Sequence, residues 1–261
     1  MKMKSNRKKY VIESICSITT VLVIWWLISD VFKITTFSTL PGPISVGKTF
    51  IIKLTDTVPD GGTLFQHIGA SLQIAMSGYL LGVLIGTPLG ILMAWYKKVD
   101  LFVRPLFDLL RPIPGLAWIP LTIIIFGIGL FSKVVVVFLS AFVPCVINSY
   151  TGIRQTKDVH LWVGRTFGAG NFQMLTRIAI PTSLPLVMTG VRVALGAAWT
   201  TIVAAELLAS TKGLGFMIQQ ARGIFRPDII ISGMIAIGAM GALLAWLLTI
   251  LEKKVIKGVK R

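Results

Sequence analysis

Acidic residues are scarce in this 261-residue chain: ten Asp and Glu stand against 26 Lys and Arg, a formal net charge of +16. Charged residues of both signs make up only 14% of the chain, against about a quarter in soluble domains, which excludes an ordinary soluble fold. Cysteine is scarcer still, at two. Cys16 and Cys145 lie far apart inside apolar runs without metal-ligand spacing, so they read as small buried hydrophobes, not as a disulfide or a zinc site. His67 and His160 are the only histidines, and neither has Cys, Asp or Glu at ligand spacing. No set of polar groups converges at one depth as an embedded enzyme would require.

Apolar residues are abundant, at 54% of the chain. They gather into six segments, about 10–32, 64–95, 101–130, 133–153, 182–209 and 229–251, each near the roughly 20 residues that cross a bilayer. The expected class is therefore all-α, a polytopic membrane protein. The first segment follows a basic N-terminus but is as long as a full span and lacks an A-x-A-like cleavage site, so it reads as a retained helix. Pro105, Pro112, Pro114 and Pro120 interrupt the third, making it the least regular.

Basic residues fall between these segments, as membrane topology requires and nucleic-acid binding does not. Clusters at the N-terminus, at Lys97, Lys98, Arg104 and Arg111, at Arg154, Lys157, Arg165 and Arg177, and at Lys253, Lys254, Lys257, Lys260 and Arg261 alternate with sparser ones. The bias places both termini and the 154–181 stretch in the cytoplasm. Residues 1–63 then form a first transmembrane helix and an external linker, and 64–261 the transport core.

Three motifs carry a decision. Gly78, Gly82, Gly86 and Gly90 share one helix face and are read as a close-packing stripe. Gly42 to Thr49 matches G-x-x-x-x-G-K-T, the phosphate-cradling loop. Pro43 lacks an N–H to offer phosphate, no buried strand precedes it, and it falls outside the cell, so it is read as a chance match. Arg192 and Glu206 are ionisable residues inside the fifth segment, about 21 Å apart along a helix. Arg192 is a candidate for a substrate path, with anchoring of the helix as the alternative; Glu206 near the outer end reads as structural.

The stretch from Arg154 to Pro181 is the longest largely polar interval of the second half. Val159, Trp162, Val163, Thr166, Phe167 and Gly170 recur at three- and four-residue spacing, predicting one short amphipathic helix over 159–172. Asp158 stands as its N-cap candidate, and Gly168 and Gly170 weaken its far end. Gly168, nine residues, Ile178, Ala179, Ile180 and Pro181 resemble the cytoplasmic signature of binding-protein-dependent ABC importer permeases. That signature opens with Glu-Ala-Ala, where Trp162, Val163 and Gly164 stand here. Residues 111–129 and 190–218 resemble its sulfonate, taurine and nitrate branch, and the resemblance covers most of the chain from residue 64 onward.

The resemblance implies a type I importer permease fold with about six transmembrane helices. It implies two permease copies, two separate ATP-binding subunits docked on this segment, and a periplasmic or lipid-anchored binding protein on the outer face. ATP and Mg would sit on the ATPase, with no cofactor on this chain. Val159, Trp162, Val163, Gly164, Phe167, Gly168, Ile178 and Pro181 are the expected coupling residues. The expected cargo is a small anion such as a sulfonate, taurine or nitrate, with a vitamin precursor as the alternative. An ion-gradient transporter is the main rival, weakened by the lack of an internal repeat and of a mid-bilayer carboxylate.

Overall fold

The computed structural model describes residues 2–33, 36, 39–208 and 210–259, and no strand occurs among them. Lys260 and Arg261, counted above as cytoplasmic, lie outside the described residues. Helix α1 (Lys2–Trp26) passes into a wide π turn over Leu27–Val31. Its apolar side chains are bare nearly all round, as befits a helix solvated by lipid. Trp25 Nε1 ties its C-terminal end to Pro41 O at 3.1 Å.

The linker that follows is not all loop. Helix α2 (Pro43–Ile52) begins with Pro at its first position, where no N–H is needed. Gly42 is its N-cap, so the G-x-x-x-x-G-K-T segment is helix, with Val46 N–H bonded to Gly42 O at 3.1 Å. From Val46 onward the amides are spent within the helix and are not turned together toward a phosphate.

Helix α3 (Leu64–Trp95) starts at a capping box: Gln66 N–H donates to Thr63 Oγ1, and Thr63 N–H to Gln66 Oε1. Its glycine stripe lies against helix α6 (Leu130–Arg154). A Cβ on Gly78 would stand 2.6 Å from Val137 Cβ, and one on Gly82 2.6 Å from Ala141 Cβ. The stripe is a backbone-to-backbone packing seam, as its spacing suggested.

The third segment is two helices. Helix α4 (Lys97–Leu110) and the residues from Gly115 to Phe126, a short 3-10 turn and helix α5 (Ile119–Phe126), meet at 82°. Arg111, Pro112, Ile113 and Pro114 fill the corner, where proline removes donors and disfavours α geometry in the residue before it. The eight residues of α5 rise only about 12 Å, well short of a bilayer's roughly 30 Å.

Helix α7 (Asp158–Thr166) and helix α8 (Asn171–Met174) follow the third long helix. A π turn over Leu175–Ala179 joins α8 to helix α9 (Ile180–Leu208), so the fifth segment begins at Asn171, not at 182. The expected polar loop is thus largely helical. Thr182 Oγ1 bonds Ile178 O at 2.8 Å and Ala179 O at 3.0 Å, serving carbonyls beside Pro181. Helix α10 (Leu214–Gly223) and helix α11 (Pro227–Val259) complete the chain. The core runs between α3, α6 and α9 on small residues, Ala141, Cys145, Ala194 and Ala198, with Ile202, Leu214 and Met217 filling the end beside α10.

Candidate functional site

The turn after α6 presents apolar surface where a soluble turn would be polar. Val159 is 59% exposed, Trp162 63%, Val163 50% and Phe167 86%. The first three share one face of α7, and Phe167 caps its end. The predicted single helix over 159–172 is corrected to two. The N-cap is Lys157, with Asp158 one place inside, where its carboxylate still favours the helix N-terminus.

Gly168 is the reason for the break. Its φ of +77° suits glycine, and Ala169 N–H bonds Gly164 O at 3.0 Å while Gly168 N–H bonds Arg165 O at 2.9 Å. This paired closure is the Schellman arrangement, and it reverses the chain so that α8 can begin. Gly164 faces inward: a Cβ there would stand 2.7 Å from Ile178 Cδ1. The small third residue of the Trp162-Val163-Gly164 triplet therefore seats α7 on the π turn, and Ile178 is its contact. Pro181 lies on the first turn of α9, behind that seat.

A groove of about 520 Å³ opens beside the α4–α5 corner. Ser140, Asn148, Thr200 and Thr201 give it a polar wall, with Arg111 at one end. Thr201 Oγ1 and Ser140 Oγ lie 2.9 Å apart, near the middle of α6. Arg192 is not among the residues lining the groove, although its neighbour Val193 is. Its guanidinium pairs with Glu252 near the end of α11, a partner that the sequence reading did not weigh.

The end of the bundle opposite α7 holds a buried polar network that spacing alone did not reveal. Lys53 Nζ sits 2.5 Å from Asp60 Oδ1 and donates to Gly62 O at 3.1 Å. Asp60 Oδ2 faces His67 Nε2 at 3.2 Å, and His67 Nδ1 accepts from Gly213 N–H at 3.1 Å. Burial alone would raise the Asp60 pKa, but hydrogen bonds from His67 and Lys53, with the Lys53 charge, hold it below the ordinary carboxylate range. One helical turn on, Ser71 Oγ meets the Glu206 carboxylate at 2.7 Å, and Gly215 N–H donates to Glu206 Oε2 at 2.9 Å. Glu206 is therefore structural, as expected. Nearby, Thr49 Oγ1 donates to Asp228 Oδ2 at 2.7 Å, joining α2 to α11. The i, i+4 pair His67 and Ser71 was a readable hint, since a buried carboxylate in a span demands such partners. No group of three metal-ligating acids, histidines or cysteines occurs among the described residues.

Long apolar helices, small-residue seams and an exposed apolar turn define a multi-pass membrane protein that works with partners. Residues 86–261 match the family model described as "Binding-protein-dependent transport system inner membrane component". The chain belongs to that family and is a permease subunit. It is 35% identical to the taurine transport system permease protein TauC of Escherichia coli (strain K12), over 92% of this chain and 87% of that one. It is 31% identical to the putative aliphatic sulfonates transport permease protein SsuC of Bacillus subtilis (strain 168), over 98% and 91%. Identity to the bicarbonate transport system permease protein CmpB of Synechococcus elongatus is 33%, over 87% and 84%. The MetNI methionine ABC transporter, solved in inward-facing conformations, shares the fold at TM-score 0.63 and 20% identity, over 76% of this chain and 96% of that one.

Proposed function

We propose that this permease subunit works as one of two copies forming a membrane path for a small anion of the sulfonate, taurine or nitrate class. Two separate ATPase subunits hydrolyse ATP with Mg, and no cofactor is held by this chain. An external binding protein delivers the solute, and both termini and α7 face the cytoplasm. The observation that carries the reading is the bare apolar face of α7, with Val159, Trp162, Val163 and Phe167, set on a Gly164–Ile178 seat and closed by Gly168 and Pro181. An exposed aromatic and aliphatic face on a short rigid helix suits insertion into a partner's groove. The relatives named for taurine, aliphatic sulfonates and bicarbonate support a small cargo that carries an anionic group.

Within that reading the hydroxyl-lined groove is the path wall, since irregular backbone inside a membrane is tolerated where it lines a cavity. Arg192 joins the path when its pair with Glu252 opens. Proteoliposomes carrying the full transporter test both points. Taurine, an alkanesulfonate, nitrate and a neutral pyrimidine are supplied with the cognate binding protein. ATP-dependent uptake of an anion supports the assignment, and uptake of the pyrimidine alone replaces it with the vitamin-precursor reading. Arg192→Gln slows anion uptake more than Arg192→Lys if the guanidinium meets cargo; wild-type rates in both leave it as an anchor to Glu252.

A further inference from the structure

We propose that the pocket between α4 and the ends of α3 and α6 is a binding site for the phosphate head group of an anionic phospholipid. The pocket holds about 290 Å³. Its floor is apolar, with Met93, Phe107 and Val146, and its rim carries Arg104, Arg111 and Tyr150, with the Asp108 carboxylate beside them. That is the division of an amphiphile: hydrocarbon below, charge above. Basic pockets between transmembrane helices on the cytoplasmic side are suited to phospholipid head groups.

Arg104 is held in place for such a task. Its guanidinium carbon lies 5.1 Å from the centre of the Tyr150 ring, and it donates to the Tyr150 hydroxyl. The Asp100 carboxylate takes Nε at 3.1 Å and one terminal nitrogen at 2.9 Å, which leaves the other terminal nitrogen free. Arg111 meets Asp108 only at 3.4 Å, and both arginines remain about half exposed. A guanidinium has five N–H donors, so these carboxylates leave donors free on each. Lys97 and Lys98 begin the same helix, which leaves the segment positive despite Asp100 and Asp108.

The outward side of α4 chooses the source of the phosphate. Leu101, Phe102, Leu106 and Leu109 are all exposed and fall on one arc of the helix. The helix turns 82° from the segment that follows, so it serves as an interfacial helix with its apolar arc in the acyl chains. A free phosphate would use the arginine rim and have no use for the apolar floor or this arc. Arg111 also borders the groove described above. A bound head group therefore changes the charge at the groove's mouth. Only the choice of leaflet rests on the proposed orientation.

The test uses the full transporter in nanodiscs of phosphatidylcholine with one part in four phosphatidylglycerol. After transfer to mild detergent, retained lipid is counted by native mass spectrometry. The wild type is expected to keep phosphatidylglycerol over phosphatidylcholine. Arg104→Gln with Arg111→Gln should reduce that retention roughly ten- to thirtyfold, from about 1 kcal/mol for each basic residue. Lys48→Gln with Lys212→Gln, on the opposite end, should leave it unchanged. Ile147→Trp, which narrows the pocket that Ile147 lines and keeps both arginines, should also reduce it, so the test survives a poorly folding double variant. Equal retention in wild type and both pocket variants overturns the site. Full displacement of the lipid by inorganic phosphate makes it a small-anion site and overturns the lipid assignment.

Discussion

The two ends of this permease solve opposite problems. In the proposed orientation, the outer end is the one where Lys53, Asp60, His67, Ser71 and Glu206 are all buried, and its acids and bases find partners within the chain. At the inner end, α7 leaves Val159, Trp162, Val163 and Phe167 bare. Buried charges that are paired and bonded fix one arrangement at a cost in desolvation. Bare apolar side chains do the reverse, since their free energy is released only when a second molecule covers them. The outer end is therefore complete in itself, and the inner end is complete only in an assembly.

Breaking the outer network should give the largest effect. Asp60→Ala leaves the Lys53 ammonium buried with only carbonyl partners, Val58 O and Gly62 O. Removing one member of a buried pair costs about 3–5 kcal/mol. Thermal unfolding of the purified chain in nanodiscs should show that loss as a much lower midpoint. An Asp60→Ala protein as stable as wild type would mean that water reaches Lys53 and the outer end is not closed.

At the inner end, Phe167→Ala or Trp162→Ala should leave the unfolding midpoint of the isolated chain near wild type, because neither ring is buried there. Affinity for the ATPase subunit should instead fall by about 2 kcal/mol, roughly thirtyfold. Titration calorimetry or co-purification reads this directly. A variant that binds its ATPase normally, with normal coupling of hydrolysis to uptake, removes α7 from the interface.

Acid gives a gentler probe of the same contrast. Asp60 has a folded-state pKa held below its unfolded value, the net result of opposed burial and hydrogen bonding. Its contribution is fully present above the unfolded value, near 3.9, and is lost as pH falls through the lower folded one. The gap in midpoint between wild type and Asp60→Asn should be flat from pH 7 to about 5 and close below about 4. A gap that closes between pH 7 and 5 would assign the titration to another group.

The sequence showed the inner end more clearly than the outer. Helix periodicity found Val159, Trp162 and Val163, because their face is set by residues three and four apart. Hydropathy found the spans, and four prolines marked the third as irregular, although not that α4 would turn aside as a separate amphipathic helix. The start of the fifth span was misplaced: Gly168 and Gly170 suggested a weak helix end, and the polar residues of α8 hid a continuous helix. Ser71 and Glu206 are separated by 135 residues and Arg192 and Glu252 by 60. No local pattern records pairs that distant, and only the rule that a buried charge needs a partner could point to them.

The smallest effects lie in two glycines of the inner turn, and they separate backbone from packing. Gly168 has a φ of +77° and open space where a Cβ would go, so Gly168→Ala is penalised by conformation alone, by about 1 kcal/mol. Gly164 lies inside α7, where alanine is favoured over glycine by about 1 kcal/mol. There the new methyl meets Ile178 Cδ1 at 2.7 Å, the movable tip of a side chain. Gly164→Ala alone should therefore be close to neutral. Gly164→Ala with Ile178→Val removes the colliding carbon, so the helix preference should appear as greater protection of the α7 amides. Hydrogen exchange of residues 158–166 in the full transporter checks both. If the double variant exchanges faster than wild type, Gly164 is there for room that a valine at 178 does not provide, and the seat between α7 and the π turn is tighter than one methyl.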